Sequence, residues 1–147
     1  MTIHTYSETE ARRWKAMRVD NTTVSARCAR ACTRSIKKDA KVRLLHLALN
    51  MVDLTTLEGM DSAGKVEALC RKALQPHAGF PDLPTTAAVC VYPNMVPIAR
   101  NALGKTSPVK LAAVATAFPS GLSPLPLKLK EVEATVDMGA DEIDMVI

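Results

Sequence analysis

Aromatic residues are scarce in this sequence, since Phe, Trp and Tyr together make up 3% of its 147 residues. Aliphatic side chains and the 7 methionines must therefore fill any core. Such a composition is typical of helices packed on parallel strands, and it disfavours an all-β fold. With 48% hydrophobic and 23% charged residues, the chain is long enough for one domain with a sizeable core.

Long apolar runs, a signal peptide and a disulfide framework are also lacking. No run of about 18 apolar residues occurs, so we expect no membrane-spanning segment. The start, Met1-Thr2-Ile3-His4, has no apolar core of a signal peptide, and 4 cysteines do not make a disulfide framework at this length. A reducing cytoplasm is the expected location. Cys28 and Cys32 lack histidines at ligand spacing, so buried or half-buried helix cysteines are favoured over a metal site.

Positive charge is concentrated at the start of the chain. Residues 1–46 hold 11 Lys/Arg and 4 Asp/Glu, whereas residues 47–147 hold 8 and 11. A basic segment can contact nucleic acid or an acidic membrane surface, but Tyr6 and Trp14 are its only aromatic residues, so it lacks a platform for stacking bases. A solvated helical face is the favoured interpretation, and nucleic acid is disfavoured as a partner.

Helical periodicity dominates this basic part of the chain. Residues 1–7 are polar and aperiodic, so we expect them to be weakly held. The pattern predicts helices over residues 8–18 and 22–41, with a cap and break at Asn21-Thr22-Thr23. We therefore predict a basic helical extension over residues 1–43.

From residue 44 onward, apolar strand-like segments alternate with amphipathic helices. The first strand is predicted within residues 44–54, with Asp53 at its end. Further strands are predicted over residues 85–92, 110–117 and 141–147, and helices over residues 61–74, 93–104 and 125–139. A proline-rich loop covers residues 75–84. This alternation favours parallel pairing with right-handed crossovers, and so an α/β domain.

Polar side chains fall at the predicted carboxyl ends of these strands, where parallel α/β proteins gather their chemistry. Asp53 and Thr55 follow the first strand, Cys90 lies on the second, and the loop 118–121 follows the third. The fourth strand is predicted to be buried, with Asp144 as an ionisable side chain that points inward. A buried carboxylate is costly unless it is paired, so Asp144 either works in a site or merely caps a strand end. Asp53 and Asp144 are both predicted to be buried, and two buried aspartates imply a cation between them, most simply a lysine.

Four blocks in this region resemble the deoxyribose-phosphate aldolase family of class I aldolases. They are Asp-Leu-Thr-Thr-Leu at 53–57, Thr-Thr-Ala-Ala-Val-Cys-Val-Tyr-Pro at 85–93, Ala-Phe-Pro-Ser-Gly at 117–121 and Gly-Ala-Asp-Glu-Ile-Asp-Met-Val-Ile at 139–147. The resemblance implies an α/β fold in which residues 44–147 form strands 1–4 of a TIM (β/α)8 barrel, its N-terminal half, after a two-helix extension. It also implies reversible cleavage of 2-deoxy-D-ribose 5-phosphate to acetaldehyde and D-glyceraldehyde 3-phosphate, through a lysine Schiff base and without metal or cofactor.

The same resemblance assigns roles to individual residues. Asp144 matches the aspartate that donates and accepts protons with a second lysine and a water, and Asp53 matches an aspartate of that polar network. Cys90 matches a cysteine lining the substrate cavity, and Thr55 is expected beside the substrate. In the family the Schiff-base lysine and the phosphate-binding loops lie on later strands. We therefore expect that lysine to be absent from this chain, whose later lysines fall on predicted helices, in loops or at a strand start.

Alternative functions follow from the missing half-barrel. The favoured one is a truncated aldolase that recognises a small phosphorylated sugar and is inactive alone. The alternative is a non-catalytic half-barrel, a binding or assembly module completed by another chain. A nucleotide-binding domain is disfavoured because no Gly-x-Gly-x-x-Gly turn follows the first strand. Exposed edges predict a homo-oligomer, a complementing C-terminal half or aggregation; no membrane partner is expected.

Overall fold

The computed structural model of the chain describes residues 7–146. Contacts divide the chain into two compact units, Met1–Lys38 and Asp39–Ile147. The predicted boundary between residues 43 and 44 lies five residues further along, and the assignment of domains stays a prediction. The expectation of weakly held structure over residues 1–7 falls, except for Ser7, outside the described residues.

Two helices make up the described part of the first unit. Helix α1 spans Glu8–Ala16 and begins with a capping box. Helix α2 spans Asn21–Cys32. Its cap is Asp20 rather than the predicted Asn21-Thr22-Thr23, because the Asp20 carboxylate accepts hydrogen bonds from two N–H groups of the first turn.

The prediction of one helix over residues 22–41 is wrong. Helix α2 ends at Cys32, and a separate helix α3 spans Lys38–Leu49. Lys38 has a φ of 52°, a left-handed conformation that a continuous α-helix does not contain. The prediction that Cys28 and Cys32 are buried or half-buried is also wrong, since both are exposed. Helices α1, α2 and α3 contain no buried residue.

Four parallel strands form the centre of the second unit, in the order β1-β2-β3-β4. The strands are β1 Asp53–Thr55, β2 Ala88–Val91, β3 Lys110–Ala115 and β4 Glu142–Met145. The connecting helices are α4 Ala63–Leu74, α5 Val96–Leu103, which follows a 3-10 turn at Pro93–Met95, and α6 Leu125–Asp137. Within residues 7–146, no helix has the length and apolarity needed to cross a membrane.

The core packs between one face of the sheet and helices α4 and α5. Val89 and Leu111 of the central strands are fully buried against Val66 and Cys70, which lie one turn apart on α4. Ala99 of α5 completes this cluster. Small aliphatic side chains fill the core, as the scarcity of aromatic residues predicts. The expectation that methionines also fill it is wrong for the described residues: four of them are exposed, and two are only partly buried against the core (Met17, Met51, Met60, Met145; Met95, Met138).

The opposite face of the sheet is open along its two outer strands. Cys90 and Ala112, on the central strands, are buried there, whereas β1 and β4 are mostly exposed. The prediction that β4 is a buried strand is therefore wrong. In the described part of the chain, β1 and β4 are edge strands with a partner on one side only, and this explains their exposure.

Candidate active site

The four residues singled out from the sequence, Asp53, Thr55, Cys90 and Asp144, meet on the open face of the sheet. They line one cavity of about 370 Å³, together with Ala112, Glu142 and Ile143. Strand register explains the convergence, because it aligns Thr55 with Cys90, Cys90 with Ala112, and Ala112 with Glu142. Asp53 lies two residues before Thr55 on β1, and Asp144 lies two residues after Glu142 on β4. A spacing of two places each aspartate on the same face of its strand as that neighbour.

Asp53 begins β1, whereas the sequence predicted it at the end of the strand. The apolar run that suggested an earlier strand belongs instead to α3, which continues to Leu49. Thr55 ends β1, and the next N–H, that of Thr56, donates to Cys90 O over 3.1 Å. This hydrogen bond holds the carboxyl end of β1 beside Cys90.

Cys90 is the buried member of the site, with 4% of its surface exposed. Burial raises the pKa of its thiol from 9.0 to about 11, and the negative charges of Asp144 and Asp53 act in the same direction. Both effects disfavour a thiolate in this position. Cys90 is consequently a neutral thiol at physiological pH, a polar wall of the cavity rather than a nucleophile.

Asp144 is exposed on β4 and is paired in register with Val114. The prediction that the Asp144 carboxylate is buried is wrong, because β4 lies at the edge of the described sheet and is exposed. Glu142, two residues earlier, lines the cavity too, but no role was predicted for it. Its spacing of two from Asp144 is the signal that places both side chains on one face of a strand.

The cavity lining, within the described residues, has three carboxylates and no lysine or arginine. The lysines of the second unit lie elsewhere, on α3 (Lys41), on α4 (Lys65, Lys72), in the turn after α5 (Lys105), at the start of β3 (Lys110) and on α6 (Lys128, Lys130). Their predicted placement on helices, in loops or at a strand start is confirmed. Across residues 7–146, no group of three or more His, Cys, Asp or Glu is arranged to hold a metal ion.

Asp141, the first acidic residue of the block at 139–147, holds the start of β4 in place. Asp141 Oδ2 lies 2.6 Å from Arg100 Nη2 and accepts a hydrogen bond from Leu111 N at 2.8 Å. Although burial opposes ionisation, the Arg100 hydrogen bond and the Leu111 N–H hold the pKa of Asp141 below its usual 3.8. This contact joins the start of β4 to α5 and β3.

Aromatic rings flank the same face of the sheet. Phe118, in the loop after β3, meets Tyr92 edge-on with ring centroids 6.1 Å apart. Both rings pack against a small cluster that includes Cys90 and Val114. The loop 118–121, which the sequence placed at the carboxyl edge, therefore lies beside the site residues.

Known proteins are similar to this chain in sequence. A model of the DeoC/LacD family of aldolases matches residues 47–147. A deoxyribose-phosphate aldolase of Mus musculus is 42% identical over an alignment of 125 residues, and the match covers 78% of this chain and 39% of the mouse protein. The chain thus spans about two fifths of the length of that curated relative.

Solved structures show the same fold. A candidate deoxyribose-phosphate aldolase from Coccidioides immitis matches 69% of this chain and 36% of its own, with a TM-score of 0.59 and 26% identity. A tetrameric deoxyribose phosphate aldolase from Aeropyrum pernix matches 68% of this chain and 38% of its own, with a TM-score of 0.53 and 25% identity. The predicted α/β fold, a partial (β/α)8 barrel, is confirmed. The family match over residues 47–147 shows that the chain belongs to the DeoC/LacD family of aldolases.

Proposed function

We propose that the second unit supplies the carboxylate and thiol side of a deoxyribose-phosphate aldolase site. The reaction is the reversible cleavage of 2-deoxy-D-ribose 5-phosphate to acetaldehyde and D-glyceraldehyde 3-phosphate through a lysine Schiff base. The convergence of Asp53, Thr55, Cys90 and Asp144 on one open face carries the proposal. The name of the mouse relative supports this choice of substrate.

Asp144 is the proposed proton donor and acceptor. A lysine amine condenses with the C1 aldehyde and releases water, the C3 hydroxyl then loses its proton, and the C2–C3 bond breaks to give glyceraldehyde 3-phosphate and an enamine. Protonation of the enamine at C2 and hydrolysis release acetaldehyde and return the amine. Each proton transfer needs a carboxylate that exchanges protons through water, and the exposed Asp144 side chain is open to water.

The other residues bind and orient the substrate in this proposal. Asp53 extends the polar network around Asp144, and Thr55 offers a hydroxyl to the sugar. Cys90 remains a thiol because its pKa is raised to about 11, so it does not compete with the lysine for the aldehyde. The protonated Schiff base accepts the electron pair of the broken C2–C3 bond, so the proposed chemistry requires no cofactor.

The Schiff-base lysine is proposed to come from the later strands of a complete barrel. The placement of this chain's own lysines on helices, in loops and at the start of β3 supports this view. The 147-residue chain alone is then inactive, and a complementing C-terminal half or a homo-oligomer is its expected partner. The four free cysteines support a cytoplasmic location, where thiols stay reduced.

Turnover of a completed barrel tests the proposal. We join or mix the chain with the later strands of the mouse relative and replace Asp144 by Asn. Loss of the proton donor should lower kcat by about 10²- to 10⁴-fold. Glu142→Gln, on the same exposed strand, is the matched control and should keep kcat within a few-fold. A completed protein in which Asp144→Asn is as active as the parent would contradict the assignment.

The alternative is a non-catalytic half-barrel that another chain completes. Within residues 7–146, the exposed outer strands β1 and β4 each have an edge without a strand partner, and this favours the assembly role. A stable complex with the later strands that shows no turnover at all would support the assembly role over the aldolase.

A further inference from the structure

The carboxyl end of β3 has an unusual backbone. Thr116 and Ala117, directly after the strand, both have a φ of 64°. This left-handed conformation is unfavourable for residues other than glycine, most of all for a β-branched one, and it persists only where neighbouring contacts hold it. Thr116 is also buried, with 7% of its surface exposed, so the turn is part of the packed structure.

Two side chains hold this turn. The Thr116 hydroxyl accepts a hydrogen bond from Val146 N at 2.7 Å, and its own proton can go to Val146 O at 2.7 Å or to Ala115 O at 2.6 Å. Ala117 N donates to Glu131 Oε2, on α6, at 2.8 Å. The Thr116 hydroxyl thus joins β3 to the residue after β4, beyond the last backbone hydrogen bonds between the two strands. The Glu131 carboxylate accepts from the Ala117 N–H, which lies past the end of β3 and has no partner in the sheet.

Both contacts bear directly on the candidate site. Val146 lies two residues after Asp144, so its attachment to β3 fixes the strand that carries the carboxylate. Phe118 follows the turn, and its ring packs on Tyr92 and on the cluster that contains Cys90. The conformation of the turn therefore bears on both the Asp144 backbone and the Phe118 ring, which packs against the cluster that contains Cys90.

We propose that Thr116 and Glu131 are positioning residues, which together form a clasp at the end of β3. The clasp holds Asp144 in register and keeps Phe118 packed against the cluster that contains Cys90. Its importance for turnover rests on the proposed function, because only that function gives Asp144 a catalytic role. The clasp itself is a structural device that can be measured without turnover.

The reactivity of Cys90 with a thiol reagent reports on the clasp, and Cys70 serves as internal reference. The experiment uses the full chain with Cys28→Ser and Cys32→Ser, because those two thiols are exposed. Cys70 is fully buried in the other core cluster, against α5. Global unfolding exposes both remaining thiols, whereas opening of the clasp exposes only Cys90. Labelling followed by peptide mass spectrometry gives the two rates separately.

Thr116→Val keeps the shape of the side chain without the hydroxyl, and Glu131→Ala removes the acceptor. Each should raise the ratio of Cys90 to Cys70 labelling by about fivefold or more. Loss of one hydrogen bond of typical net strength corresponds to about fivefold, and Thr116→Val removes both the accepted and the donated bond. Thr116→Ser and Glu131→Gln retain the contacts and should restore the parent ratio. Ala117→Gly relieves the backbone strain without removing either contact and should also leave the ratio unchanged.

Two results would overturn the clasp. One is an unchanged labelling ratio in both Thr116→Val and Glu131→Ala, and the other is equal acceleration of both thiols, which indicates general loosening. Failure of the proposed function gives a different pattern, since a completed barrel without turnover would leave the labelling ratios as predicted. Conversely, turnover that depends on Asp144, together with unchanged labelling ratios in Thr116→Val and Glu131→Ala, would contradict the clasp and support the aldolase assignment.

Discussion

Replacing Asp144 by Asn should lower the pKa of the Cys90 thiol. The thiolate of Cys90 would be a negative charge in a buried position, and the Asp144 carboxylate opposes its formation. Asparagine has nearly the same shape without the charge, so the substitution removes the electrostatic effect and keeps the packing. The change in pKa therefore measures whether Asp144 faces Cys90 across the sheet.

The expected size of this change follows from the causes of the raised pKa. Burial is the largest cause of the rise from 9.0 to about 11, followed by Asp144 and then Asp53. Removal of Asp144 should lower the pKa by no more than about one pH unit, or tenfold in thiolate at a fixed pH. Because a less basic thiolate is a weaker nucleophile, the rate of labelling should rise by only about threefold.

The assay is the rate of Cys90 alkylation across mildly alkaline pH, in the background that lacks Cys28 and Cys32. Glu142→Gln is the control, since Glu142 lines the cavity but is not among the causes of the Cys90 shift. The pKa should stay above 9.0 in Asp144→Asn because burial remains. An unchanged pKa in Asp144→Asn, or an equal fall in Glu142→Gln, would refute the geometry.

Two further predictions concern stability, measured by urea unfolding. Leu111→Ala, in the fully buried core, should lower the free energy of unfolding by about 2–5 kcal/mol. The control Leu122→Ala, at an 89% exposed position, should lower it by less than about 0.5 kcal/mol. Equal losses in the two variants would contradict the core assignment. Because the pKa of Asp141 is held below 3.8, its stabilising effect is complete above that pH and is lost as pH falls through the lower folded value. Asp141→Asn should therefore weaken the acid sensitivity of stability, and an unchanged pH profile would count against the Arg100 contact.

The alternation of strands and helices in the second unit could be predicted from the sequence, and so could the meeting of Asp53, Thr55, Cys90 and Asp144 on one face. Alternating strand and helix patterns fix the order, and parallel neighbours bring the ends of successive strands to one edge, so Cys90 and Asp144 were predicted to meet. The carboxylates were wrongly predicted to be buried. An apolar strand pattern reports which face a strand can bury, but exposure also depends on which strands lie at the edges of the sheet.

Long-range polar contacts could not be predicted. The Glu131 carboxylate meets Ala117 N from 14 residues away, and the Thr116 hydroxyl meets Val146 from 30 residues away. Neither pair has a local pattern, because the contacts depend on how α6 and β4 return to the end of β3. The helix break before Lys38 was missed for a related reason, since its left-handed φ has no glycine or asparagine to mark it.

Trapping with sodium borohydride tests the central claim most directly. The chain is treated with 2-deoxy-D-ribose 5-phosphate and borohydride, alone and together with a second chain that carries the later strands of the mouse relative. Mass spectrometry then locates any reduced Schiff base. We predict no adduct on this chain in either sample and an adduct on a lysine of the second chain in the mixture. An adduct on one of this chain's own lysines would contradict the claim that it supplies only the carboxylate and thiol side of the site.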